Sequence, residues 1–280
     1  MSDLVIPLER LPRGFAESIL HPPEHPAPPR PAATIVLLRD AEQGPEVLLM
    51  KRSRSAGFVP GAYVFPGGRV DAHDASDDVV ARLDGLDAGG AAARLELPDA
   101  DPPALAYYLA ALREAFEEAG ILVARDGAGA PPPTAEEDAA VDALRGDLME
   151  DRLAFAQVLD RMGCRLDGAA VEYLAHWITP LPEPRRYDTR FFAARARPGA
   201  HAVIDPREMT DALWVTPAEA LRRNDEGTLP MVFPTILTLR DLEAFASVDE
   251  ILADLRSRRI RTILPRLVLT PEGIRSEIEP

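Results

Sequence analysis

Residues 111–122 read ALREAFEEAGIL, and the fold turns on what three glutamates do in this stretch. Leu105, Leu109, Leu112 and Phe116 recur at spacings of 4, 3 and 4, an apolar stripe of helical period. Glu114, Glu117 and Glu118 fall on the opposite side, the last two just before Gly120, a residue type that ends helices. A helix C-terminus carries partial negative charge, and like charges three and four residues apart repel. No lysine on this helix offsets them; Lys51 is the only lysine in the chain. A divalent cation removes both penalties, because Mg2+ is satisfied by a few carboxylates plus water and substrate phosphates. The pattern predicts a helix over 102–120, capped by Asp101 with Pro102-Pro103 as its first turn. One face should enter a core and the other should present carboxylates to a metal.

Upstream, AATIVLLRD (32–40) and EVLLMKRS (46–53) are aliphatic runs around AEQGP and read as a hairpin. GAYVFPGGRVD (61–71) reads as a short strand broken at Pro66-Gly67-Gly68, a turn where backbone can approach a ligand closely. Asp71 and Asp74 follow it. Residues 75–101 are alanine- and glycine-rich without a core-forming pattern, and are expected to be a surface loop or small lid. HPPEHPAPPRP (21–31) holds six prolines, which excludes helix and central strand, so 1–30 reads as an extended leader. Downstream, 134–163 is expected to be helical, while AHWITP (175–180) and YDTRFFAARAR (187–197) read as strands. DALWVTPAEALRRN (211–224) reads as a strand entering a helix capped by Thr216 with Pro217 first. Residues 235–258 are expected to be helical and 266–280 to be a tail on a single domain spanning 31–265. Strands and helices alternate without a βαβ rhythm, which favours a mixed α+β sandwich.

Composition narrows the function. The 280 residues are 46% apolar and 28% charged, with a formal net charge of −15, which argues against nucleic acid or an anionic membrane as partner. Cys164 is alone, so no intramolecular disulfide forms and a reducing compartment fits. MSDLVIPLERLPRG is no secretory signal, no apolar run reaches membrane-spanning length, and the ending SEIEP is no peroxisomal address; the cytoplasm is expected. The histidines His21, His25, His73, His176 and His201 show no zinc spacing. Trp177, Tyr187 and Trp214 read as core residues, and the assembly is left open, a homodimer included.

Taken together, these pieces resemble the Nudix hydrolase signature, G-x5-E-x7-R-E-U-x-E-E-x-G-U with U a bulky apolar residue. The second half is matched by Arg113, Glu114, Ala115, Phe116, Glu117, Glu118, Ala119, Gly120 and Ile121. In the first half Gly68 matches and Asp74 stands at the usual glutamate. The departure is one of length, since 38 residues lie between Asp74 and Arg113 where the pattern has 7. The resemblance covers roughly residues 30–245. It implies an α/β/α sandwich with a mixed sheet, here with extra C-terminal helices, and a loop–helix–loop that binds Mg2+ or Mn2+. It places Glu114, Glu117 and Glu118 as metal ligands together with the carbonyl of Gly67. Arg113 becomes a structural partner for a loop carboxylate such as Asp74. The family hydrolyses a nucleoside diphosphate linked to another group, using a carboxylate as general base; Glu118 or Glu114 stands ahead of Glu208 for that role.

LLMKRSRSAGFVPGAYVFPGG (48–68) is also similar to the element of the coenzyme A diphosphatases, L-L-T-x-R-[SA]-x3-R-x3-G-x3-F-P-G-G. Leu48, Leu49, Arg52, Ser53, Gly61, Phe65, Pro66, Gly67 and Gly68 match in register, Met50 replaces the threonine and Gly57 the second arginine. The interrupted signature, with WITP and RRYDTRFF, further resembles the mammalian peroxisomal members of that branch. This similarity implies coenzyme A or an acyl derivative as substrate, with Arg52, Arg54, Gly67, Gly68, Arg185 and Arg186 around its phosphates. ADP-ribose, NADH or a dinucleoside polyphosphate compete as substrates, and a Nudix-fold ligand sensor is the non-enzymatic alternative.

Overall fold

The computed structural model of the chain describes residues 5–6, 15–54 and 59–278; Gly57 lies outside them. A two-residue strand β1 (Val5–Ile6) and a short helix α1 (Phe15–Leu20) precede the proline-rich run, so the leader is not extended throughout. Strand β2 (Arg30–Ala41) begins two residues before the aliphatic run and takes in Pro31, although β2 lies inside the sheet. A proline at a strand's start removes one ladder donor only at its end. β2 turns at Gly44, with φ 111°, into the antiparallel β3 (Gly44–Arg52), pairing Leu38 with Val47. The stubs β4 (Tyr63–Val64) and β5 (Gly67–Arg69) then pair with β3 and β2 respectively.

The 75–101 excursion is more than a loop. It contains α2 (Asp77–Val80), β6 (Leu83–Asp84) and α3 (Ala88–Leu95), and Val79, Leu83, Ala91 and Leu95 are buried in the main core. The expectation of a surface loop or lid is corrected accordingly: four apolar side chains among alanines and glycines are enough to dock it. Helix α4 (Ala104–Ala119) starts at Ala104 with Pro103 as its uncapped N-terminus, two residues later than expected; Asp101 makes no cap. Nor is its apolar surface a stripe. Thirteen of its sixteen residues are buried, and the three that are not are Arg113, Glu114 and Glu117. The six alanines among its buried residues carry no large side chain to mark the contact, yet let α3 and the following helices close over the helix.

Next come β7 (Ala124–Asp126), α5 (Ala139–Met149), α6 (Phe155–Met162) and β8 (Cys164–Asp167), so the expected helix over 134–163 is two helices. β6, β8 and β7 form a small three-stranded sheet. The long strands β9 (Val171–Ile178), β10 (Tyr187–Arg195) and β11 (Met209–Val215) complete the main sheet. Helix α7 (Pro217–Asp225) starts as the sequence implies, with the Glu219 N–H donating to the Thr216 hydroxyl at 3.3 Å. α8 (Phe233–Leu242) and α9 (Val248–Ser257) divide the expected 235–258 helix. The strands β12 (Thr262–Ile263), β13 (Arg266–Thr270) and β14 (Gly273–Glu277) end the described chain, and β1, β14 and β13 pair as a sheet, so 266–280 is not a tail.

The main sheet runs β11-β3-β2-β10-β9-β12 and is mixed: β10 is parallel to β2 and antiparallel to β9. Alternation sorts its side chains. Ile35, Leu37, Leu48 and Met50 face α4, while Val36, Leu38, Val47 and Leu49 face α7, α8 and α9. The result is an α/β/α sandwich. Trp177 is core, whereas Tyr187 and Trp214 are only half-buried, with the Arg39 guanidinium over Trp214. No helix among the described residues is long and apolar enough to cross a membrane.

Candidate active site

Arg113 organises the acidic face of α4. Its Nε donates to Asp74 Oδ1 at 2.7 Å and its Nη2 to Asp74 Oδ2 at 3.1 Å, while Nη1 donates to Glu114 at 2.9 Å and Glu117 at 2.8 Å. The Nη2 group also reaches the Arg69 carbonyl at 3.1 Å. Asp74, 3% exposed, additionally accepts the Asp71 N–H at 2.7 Å, so one buried carboxylate ties the loop to the helix. A second cation serves the helix end. Arg145 on α5, itself buried, donates through Nε to the carbonyls of Phe116 at 3.1 Å and Glu117 at 2.8 Å. Guanidinium at a helix C-terminus meets both the unpaired carbonyls and the negative end of the dipole. Two arginines thus compensate the acidic last turn, where the sequence pointed to a metal alone.

The loop meets the helix closely. The Gly67 N–H donates to Glu118 Oε2 at 2.9 Å. A Cβ on Gly67 would lie 2.6 Å from the Ala33 carbonyl oxygen, so that position admits no side chain, and one on Gly68 would lie 2.2 Å from Glu114 Oε1 and displace that carboxylate. Glu118 is buried, and its proton affinity is raised by that burial first and by the neighbouring Glu114 next, against the Gly67 N–H and Arg52. Burial likewise raises Glu114, opposed by Arg113 and reinforced by Glu117. Both carboxylates therefore sit where their charge is undercompensated.

These groups line one cavity of about 780 Å3. Glu114, Glu117, Glu118, Arg52 and Glu208 stand at its acidic end, and Glu208 adds to the field that raises Glu118. The Nε of Arg52 is buried without a hydrogen-bond partner. The apolar lining of the cavity is built from Phe65, Trp177, Tyr187, Phe191 and Phe233, with Leu267 and Ile274 of the β13–β14 hairpin. The indole N–H of Trp177 is also buried and unpartnered at this wall. The hairpin and Arg145 escaped the sequence reading, because each meets the site only through long-range packing.

The structure leaves three of the arginines expected at the substrate outside the lining of this cavity. Arg54 is exposed and lies outside the cavity lining. Arg186 is 7% exposed and donates to the carbonyls of Thr179 at 3.0 Å and Ala27 at 2.9 Å, an internal staple. Arg185 does not line the cavity either.

A divalent cation fits the donor set, which offers hard carboxylate oxygens with raised proton affinity beside two glycines, where a side chain on Gly67 would meet backbone and one on Gly68 would displace the Glu114 carboxylate. Among the described residues no three acidic, cysteine or histidine side chains form a ready metal cluster, and the Arg113 guanidinium bridges Glu114 and Glu117.

Comparison with known proteins agrees with this architecture. The family model described as the NUDT19 Nudix domain matches residues 19–242. The acyl-coenzyme A diphosphatase NUDT19 of Gallus gallus is 33% identical over 239 residues, covering 74% of this chain and 63% of that protein. That of Homo sapiens is 29% identical over 263 residues, covering 83% and 70%. The chain thus spans a little under two thirds of the chicken relative's length. The crystal structure of a NUDIX hydrolase from Alicyclobacillus acidocaldarius superposes with a TM-score of 0.64 at 31% identity, covering 82% of this chain and 97% of that one.

Proposed function

The chain belongs to the NUDT19 Nudix domain family, and from that premise we propose that it is a metal-dependent hydrolase of the pyrophosphate bond in coenzyme A or an acyl-coenzyme A. The observation that carries this reading is the pair Glu114 and Glu118, the first half-buried and the second buried, set against Gly67-Gly68 in a cavity of the size that holds a small-molecule substrate. Glu114, Glu117 and Glu118, with the carbonyl of Gly67, would hold Mg2+ or Mn2+. When bound, the metal supplies charge neutralisation at the phosphoryl oxygens and a more acidic attacking water. Glu118 or Glu114 is the foremost candidate to take the water's proton, ahead of Glu208, which lines the same cavity. Water adds to one phosphorus, the bridging P–O bond breaks, and the departing phosphate keeps the bridging oxygen. The products are 3′,5′-ADP and a 4′-phosphopantetheine, acylated or free.

The chain's own cations sort by distance from this centre. Arg52 acts on the charge of Glu118, which suits it to the pyrophosphate rather than to the remote 3′-phosphate. Arg113 is a positioning residue that keeps loop and helix in register. The apolar lining, to which the β13–β14 hairpin contributes, suits the pantetheine arm and an acyl chain.

The test is a panel of coenzyme A, acyl-coenzyme A, ADP-ribose, NADH and a dinucleoside polyphosphate with Mg2+ or Mn2+, products being identified by mass. Highest kcat/KM for a coenzyme A species is expected. Preference for ADP-ribose or NADH would overturn the substrate, and binding without turnover of any member would favour the ligand sensor.

A further inference from the structure

Side chains of β9 and β10 alternate between two cavities. Thr189, Phe191 and Trp177 face the catalytic cavity, whereas Arg190 and His176 point to the opposite side of the sheet. There they line a second cavity of about 510 Å3, closed by α3 of the 75–101 insertion and by residues 257–262 after α9. Its polar lining is cationic in a chain of net charge −15: Arg94, Arg190, Arg258 and Arg259 stand against a single carboxylate, Glu96.

The charges there are unevenly compensated. Arg258 is paired with Asp241 and Asp254 on α8 and α9. Arg94 donates only to the main-chain carbonyls of Arg258 and Leu255, and Arg259 meets Glu96 at a loose 3.4 Å on the surface. Arg190 is 4% exposed and gives Nη1 to the Tyr173 hydroxyl at 3.0 Å, but its buried Nε has no partner. Neither Arg94 nor Arg190 has a carboxylate within ion-pair distance among the described residues. The nearest acid on the Arg190 face of β10, Asp188, is hydrogen-bonded to His176 at 2.6 Å and feels the Arg190 charge only at longer range, while the Arg190 guanidinium lies 5.1 Å over the Tyr107 ring. A buried guanidinium without a carboxylate partner is costly unless an anion completes it, and its planar fork matches phosphate oxygens.

We propose that this second cavity is an anion site for a phosphate group, carried by a small phosphomonoester or present as free phosphate, separate from the catalytic cavity and built partly from the insertion that interrupts the signature. Arg190 binds from the sheet, Arg94 from the insertion and Arg259 from the mouth. The site accounts for an arginine placed in the core on a strand whose other residues there are aromatic or small. It does not depend on what the catalytic cavity hydrolyses.

The test is calorimetric titration of the full chain with inorganic phosphate and, in parallel, AMP, in chelator at fixed ionic strength so that no metal draws anions to the acidic helix. Wild-type protein should bind phosphate, and Arg190→Gln should weaken binding about tenfold or more, the loss of one charge-assisted contact. Arg259→Glu, at an exposed position that leaves the fold intact, should weaken it severalfold, so the proposal stays testable if the Arg190 variant fails to fold. Tighter binding of AMP would assign the site to a phosphomonoester, and equal affinities to the free ion. Undiminished affinity in Arg259→Glu and Arg190→Gln, or loss confined to Arg52→Gln, would overturn it, as would a wild-type chain that binds neither probe.

Discussion

Arg113 grips both oxygens of Asp74, at 2.7 and 3.1 Å, across the 38 residues that separate them in the chain. The insertion therefore leaves and re-enters the loop–helix unit without parting its two halves. Its helix α3 docks on α4 and its helix α2 on α6 instead of spreading the site, with Ala91 and Leu95 in the same core as Leu105 and Leu109. Breaking this pair should be expensive, because Asp74 would remain buried and charged. Arg113→Met is expected to cost about 3–5 kcal/mol in urea unfolding. Adding Asp74→Asn should recover part of that loss; a double variant no more stable than the single would deny that the pair is the cause.

Arg145 makes a separable contribution. Arg145→Met removes two hydrogen bonds to the last carbonyls of α4 and is expected to destabilise by about 1–3 kcal/mol, seen as a lower urea midpoint at unchanged slope. A midpoint equal to wild type would show that water caps this helix end as well.

How far the sequence carried varies along the chain for physical reasons. The loop–helix geometry is readable because Gly67, Gly68, Asp74, Arg113 and the glutamates lie in two short stretches whose residue types leave few arrangements. The hairpin of β2 and β3 and the Thr216-capped α7 are equally local. The docking of the insertion is not readable because its few buried apolar residues, Val79, Leu83, Ala91 and Leu95, are scattered among alanines and glycines and show no apolar period. Arg145 and the β13–β14 hairpin reach the site from 28 residues and more away, and nothing in their immediate neighbours announces it. The arginines near the substrate were over-read: Arg186 is consumed by main-chain carbonyls that only the fold supplies.

The raised carboxylates give a signed pH dependence. Glu118 shifts from an ordinary value of 4.5 to about 8 in the folded chain, so between those values the folded state binds the extra proton. Stability of metal-free protein from this group is then full at low pH and falls as pH rises through that window. Glu118→Gln should flatten the fall and leave the metal-free protein more stable than wild type at pH 8. Mg2+ should stabilise wild type and have little effect on the variant. Thermal denaturation in chelator and in Mg2+ across pH 5–8 checks both signs, using the difference between the two proteins so that other groups cancel.

In the apolar lining, Leu267→Asp should raise KM for a long acyl-coenzyme A about tenfold or more, the value of burying one aliphatic side chain, with kcat kept. Free coenzyme A should be nearly unaffected. Steady-state kinetics on both substrates decide it, and an equal rise for both would remove the hairpin from acyl recognition.

The central claim is that carboxylates on α4 drive attack of water on a pyrophosphate. It is tested most directly by turnover of coenzyme A with Mg2+ in 18O-labelled water, comparing wild type with Glu118→Gln and Glu114→Gln by mass spectrometry of the products. The account predicts one 18O atom in a single product phosphate for wild type, and turnover lower by several orders of magnitude in each folded variant. Near-normal turnover in both variants, or cleavage that leaves both product phosphates unlabelled, would contradict it.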